Sequence, residues 1–149
     1  MSIVAIQDAL EALIKTTLPS YVKLSDAVDV ADNPNIYLNK GFATAIGPAV
    51  REQKELCNGL FIARSFTVVL TNTYNASLDA ETRKDLEQAL AVDQTALMLA
   101  LEGNRALSGT CTNAVYVSDN GIEYIVDEQY QKQYIGIVSD INIQYIERA

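Results

Sequence analysis

Apolar residues recur at steps of three and four through Ile3, Ile6, Leu10, Leu13 and Ile14, with Gln7, Asp8, Glu11 and Lys15 between them. That spacing predicts an amphipathic helix. Ser2 stands where an N-cap belongs, and Pro19 ends the segment because proline has no N–H to donate and disfavours helical geometry in the residue before it. The next stretch, through Asp26, Asp29, Asp32, Asn33, Pro34 and Asn35, mixes carboxylates with turn formers and sustains no apolar face, so it reads as an acidic connecting loop. Its aspartates lie three apart, whereas a calcium loop alternates its ligands more tightly around a glycine turn; solvated charge is the preferred reading.

From Gly41 the period changes to two. Phe42, Thr44 and Ile46 alternate with Ala43 and Ala45, and Gly47-Pro48 is expected to end that strand. A polar break, Arg51 to Asn58 with Glu52, Lys54 and Glu55, separates it from a longer strand beginning near Gly59. The two are expected to form an extended hairpin whose polar loop, near 50–59, is a candidate contact arm. In the longer strand Ile62, Phe66, Val68 and Leu70 share one face with Arg64. A cation on an apolar face calls for a position at the sheet edge or a carboxylate partner, since an unpaired buried charge is costly. Arg51, Glu52, Lys54, Glu55 and Arg64 are thus the candidate contacts to an oligomer or another partner.

Asp79 is placed to cap a second helix, with Glu81 in its first turn and Leu86, Leu90, Leu97 and Leu101 as a stripe that ends before Gly103. Asp93 interrupts this stripe, which implies a kink, a re-capped turn or a polar contact. Strands resume at Val115 and Val117, then Asn120-Gly121 gives the strongest short hairpin signal, with Ile122, Tyr124 and Val126 beyond it. In the last segment Ile135, Ile137, Ile141, Ile143 and Tyr145 lie on one face and Asp140, Asn142 and Gln144 on the other, the pattern of a strand buried on one side. The predicted order is helix, two strands, helix, three strands. It packs as a single α+β domain over residues 1–149, a mostly antiparallel sheet of about five strands with two main helices on one face.

Charge and composition then narrow the function. The chain carries 19 Asp and Glu against 11 Lys and Arg, a formal charge of −8, and shows no cationic cluster beyond Arg83-Lys84, which argues against a nucleic-acid reader. There is no histidine, which removes Ser-His-Asp and Cys-His catalysis, histidine-ligated zinc and imidazole acid–base chemistry. Cys57 and Cys111 stand far apart and cannot build a four-thiolate zinc site. The seven glycines form neither a P-loop nor a Gly-x-Gly-x-x-Gly turn. No catalytic, cofactor-binding or metal-ligating residue is assigned, and no cofactor is expected. No apolar run approaches the ~20 residues that span a bilayer, and Asp8 and Glu11 interrupt the first apolar segment, unlike a signal peptide. A soluble protein made in the cytoplasm, with free thiols, is expected.

Several segments together carry a family resemblance: the N-terminal helix with Leu18-Pro19 and Tyr21, the strand Gly41-Phe42-Ala43-Thr44-Ala45-Ile46-Gly47-Pro48-Ala49, the strand Arg64-Ser65-Phe66-Thr67-Val68-Val69-Leu70-Thr71, and the terminal Tyr145. Over almost its whole length the chain resembles the tail terminator, or tail completion and neck, proteins of long-tailed bacteriophages. The resemblance implies a non-enzymatic virion protein of the tail and neck, assembled in the host cytoplasm. It implies a homo-oligomeric ring, a hexamer, that caps the tail tube, stops its polymerisation and offers the other face to a head-completion or connector protein. An acidic bore in such a ring lets DNA pass without specific binding. The alternatives are another neck connector, a small-ligand-binding α+β module, and, with the Asp26 to Asp32 segment as its weak pointer, a metal-dependent hydrolase that uses carboxylates alone.

Overall fold

The structure, a computed structural model, describes residues 2–23, 40–52, 59–73, 80–127 and 132–148; of these, 125–127, 132, 133 and 148 are described by backbone alone. Helix α1 spans Ile3–Thr17. Ser2 caps it, its Oγ facing the Ala5 N–H at 3.5 Å, and the chain leaves the helix at Leu18, whose N–H still reaches the Ile14 carbonyl at 2.8 Å. The predicted face is the buried one, with Ile6, Leu10 and Ile14 wholly enclosed.

Two residues, Val22–Lys23, then form a short strand β1, parallel to the first residues of strand β2 (Gly41–Arg51). No alternation can be read from two residues, and the sequence pattern did not announce β1. Strand β2 runs antiparallel to β3 (Gly59–Thr73), so the expected hairpin forms. Contrary to expectation, β2 does not end at Gly47-Pro48 but continues to Arg51 past a register shift between Ile46 and Ala49. A bulge is one of the few places in a sheet where proline's missing N–H does no harm. Glycine is required beside it, because a Cβ on Gly47 would stand 2.8 Å from the Ser65 carbonyl oxygen.

Helix α2 (Ala80–Glu102) buries Leu90, Gln94, Leu97 and Leu101, and the Gly103 N–H closes its end on the Leu99 carbonyl. The expected cap, Asp79, lies outside the described residues, as does the acidic segment from Asp26 to Asn35. The helix passes unbroken through Asp93. A turn over residues 103–112 follows, in which Leu107, Ser108 and Gly109 successively take positive φ (45°, 59° and 85°). Leu107 tolerates this because its side chain is buried in the core and the Asn104 side chain accepts the Ser108 N–H at 3.0 Å.

The C-terminal third holds two strands, β4 (Asn113–Asp127) and β5 (Lys132–Arg148), where three were expected. Asn120-Gly121 does not reverse the chain. It forms a bulge inside β4, which stays paired with β5 on both sides of a register shift between Asp119 and Ile122. Gly121 supplies the positive φ of 76°, the Asp119 carboxylate accepts the Gly121 N–H at 2.8 Å, and the Asn120 side-chain oxygen accepts the Val138 N–H at 2.9 Å. These side chains take over ladder bonds that a hairpin turn would have closed, and an asparagine-glycine pair serves either geometry.

The sheet order is β1-β2-β3-β5-β4, with only β1–β2 parallel. Strands β3 and β5 form its spine, paired in unbroken register from Gly59↔Arg148 to Thr73↔Tyr134. Phe66, Val68 and Leu70 of β3, Phe42 of β2 and Ile135, Ile137, Ile141, Ile143 and Tyr145 of β5 meet the buried residues of both helices in one core. Helix α1 lies over β2, where Thr44 Oγ1 accepts from Gln7 (3.1 Å) and donates to Glu11 (2.7 Å), and Lys23 pairs with Glu11 at 2.7 Å. Helix α2 lies over β4 and β5. The domain is α+β in two layers, and among the described residues both helices cover the same face of the sheet.

Candidate functional site

Strand length and helix length do not match. At ~3.3 Å per residue the 15 residues of β3 and the 17 of β5 extend for about 50–55 Å. At 1.5 Å per residue α1 covers about 22 Å and α2 about 34 Å. On the face that carries the helices, exposure rises toward one end, at Ile46 and Arg51 of β2, Leu60 of β3 and Glu147 of β5. On the helix-covered face of β3, Phe66 is wholly buried, Ile62 half-buried and Leu60 42% exposed; on β2, Phe42 is buried and Ile46 46% exposed. On β5, Tyr145 is buried and Glu147 exposed. Among the described residues the sheet thus runs out from under its helices on this face, with Ile46 and Leu60 exposed there.

Of the candidate contact residues, Arg51, Glu52 and Arg64 fall at or next to this end. Arg51 is exposed and sits opposite Ile62, on the face that turns toward the helices. Glu52 is half-buried, and its N–H continues the hairpin ladder to the Phe61 carbonyl at 2.8 Å. Lys54 and Glu55 lie outside the described residues. Arg64 departs from expectation: β3 is the middle strand, so Arg64 is at no edge, and among the described residues its hydrogen-bond partners are neutral. Its Nη1 donates to the Gly47 carbonyl at 3.0 Å and its Nε to the Tyr145 hydroxyl at 3.1 Å. The β2 bulge turns the Gly47 carbonyl toward the guanidinium, and dipoles stand in for the expected carboxylate. Among the described residues the ion pairs are Lys23–Glu11 and Glu102–Arg105.

Two polar clusters lie elsewhere. The Tyr21 hydroxyl donates to Asp93 Oδ2 at 2.7 Å, tying the end of α1 to the middle of α2. Burial first, then the Asp93 carboxylate, pushes the phenol pKa well above its ordinary value. This bond is the polar contact anticipated for Asp93. Buried Gln94 donates to the Tyr116 hydroxyl and to Ser139 Oγ (3.3 Å), and Tyr116 donates to Asp119 Oδ2 at 2.9 Å. The Gly121 N–H, with Gln94 and Tyr116, holds the Asp119 carboxyl below the usual carboxylate range. The sequence pattern singled out neither Gln94 nor Ser139; each occupies a core-facing position, which is the one signal for them.

Burial raises the Cys111 thiol to about 11, so it stays protonated and a poor nucleophile at neutral pH. No group of three or more potential metal ligands occurs among the described residues. An open cleft of about 520 Å³ at the start of α2 is lined by Ala80, Arg83, Lys84, Glu87 and Tyr124, with Arg83 over the Tyr124 ring and Tyr124 donating to Glu87 at 2.7 Å. No helix among the described residues is long and apolar enough to cross a membrane. No protein-family model matches the chain, and no curated protein matches it.

Proposed function

We propose that the chain is a structural subunit of a phage tail end, a tail terminator that closes into a ring, caps the tail tube and gives the head side its attachment surface. The resemblance of the strands and the N-terminal helix motivates this reading, and one observation carries it: a three-stranded sheet end with Ile46 and Leu60 exposed beyond the described helices. Ring closure needs a heterologous contact, in which one surface of a subunit meets a different surface of the next. A projecting strand end supplies one such surface. The net charge of −8 suits a channel that DNA traverses without adhering, because phosphate is held by clustered cations.

The test is tube length. Added to polymerising tail tube protein, the chain is expected to stop elongation and to appear as a cap at tube ends in negatively stained images. Tubes that grow to the same length with and without it, and bare ends, overturn the reading. Binding to DNA-filled heads but not to tubes points instead to another neck connector.

A further inference from the structure

Among the described residues the strand end has no helix over it, and the same chain carries a helix face that none of them covers. Between Asp85 and Glu102 the exposed positions of α2 are Gln88, Ala89, Val92, Thr95 and Leu99, and none is charged. Val92 and Leu99 are 66% and 68% exposed. They lie seven residues apart, so they stand on one face, two turns from each other. For a chain with a net charge of −8, an outward helix face that stays uncharged over this length is where a second copy can approach without setting carboxylate against carboxylate.

We propose that the outer face of α2 in one copy docks on the uncovered strand end of the next, so that the neighbour's helix extends the helix layer over Ile46 and Leu60. This contact rests on the ring reading and gives it a geometry. The strand end already receives helices on this face: Phe42, Phe66 and Tyr145 are buried under α1 and α2 a few residues inward, and outward the row passes Arg64, which is tied to Gly47 and Tyr145, to reach Ile62 and Leu60. The rim carries both signs on either side: Arg51 and Glu147 are exposed on the same face of the strand end, and the α2 stripe is bounded by Asp85 at one end and by the Glu102–Arg105 pair at the other. The two surfaces are different parts of the molecule, so the contact is heterologous and propagates until it closes.

Sedimentation equilibrium with two exposed-site variants tests the contact. Leu60→Lys alters the strand side and Leu99→Glu the helix side; far-UV circular dichroism verifies that both fold. Each alone is expected to weaken self-association about tenfold or more. An equal mixture restores it, because the lysine-bearing strand end of one variant meets the glutamate-bearing helix of the other, and the two unaltered surfaces meet each other. If Leu99→Glu alone abolishes association and Leu60→Lys changes nothing, helices pair with helices and the proposal falls. If rings persist in both variants, the contact is wrong and the ring stands. Wild-type chains that stay monomeric overturn the contact whatever the tube-length assay returns, so the two failures are told apart.

Discussion

Tyr21 and Asp93 are 72 residues apart in the chain, and their bond shows what a single residue discloses about its neighbours. Asp93 is legible as an anomaly, a carboxylate on a leucine stripe, but its donor is not, because a pairing between a helix and a residue in the turn that leads to β1 leaves no mark in local spacing. Removing the donor with Tyr21→Phe leaves a carboxylate facing an apolar ring, and urea denaturation is expected to register a loss of about 1.5–3 kcal/mol. Arg64 teaches the same lesson from the other side: its need for partners is readable, their identity is not, since it depends on a bulge that turns a carbonyl. Titration separates the remaining polar groups. The Asp119 carboxyl is depressed in the folded chain, so its contribution is present above about pH 4 and lost as the pH falls through the folded value. Asp119→Asn is therefore expected to be less stable than wild type at pH 7, by about 1 kcal/mol or less for an exposed carboxylate, with the gap narrowing as the pH falls below about 4. Cys111 and Tyr21 are raised, so stability is intact below about pH 9 and declines as the pH climbs toward 11.

Elements were legible where a period was sustained. Helix α1, the long strand β3, the leucine stripe of α2 and the one-sided pattern of β5 all follow from apolar spacing, because burial on one face imposes that spacing directly. The boundaries that failed involve glycine beside a turn former. Gly47-Pro48 and Asn120-Gly121 are consistent with a chain reversal or with a bulge, and the choice falls to the partner strand: β3 continues past the first and β5 past the second. The two sites fail differently when altered. Gly47→Ala drives a methyl against the Ser65 carbonyl and displaces the bulge that serves Arg64, an expected cost of about 1–3 kcal/mol. Gly121→Ala meets nothing within 4 Å, so its cost is confined to the positive φ, about 1–2 kcal/mol. Thermal denaturation of both variants, with Arg64→Met beside them, checks the difference: Arg64→Met and Gly47→Ala are expected to be non-additive, because they break one shared bond.

At the scale of the whole molecule, the α+β class and the single helix-covered face were legible, since a run of one-side-apolar strands and two amphipathic helices has few ways to pack. The mismatch in length was not, because it emerges only once the strands are paired and the helices laid over them. That mismatch places Arg51 and Arg64 on one face of a strand end that reaches beyond the described helices. The central claim is that such subunits close into a ring. Electron microscopy of the purified chain, with its mass measured in the native state, tests this most directly. Closed rings of six copies, found again at the ends of tail tubes, are the predicted result; a chain of monomer mass that neither forms rings nor occupies tube ends would contradict it.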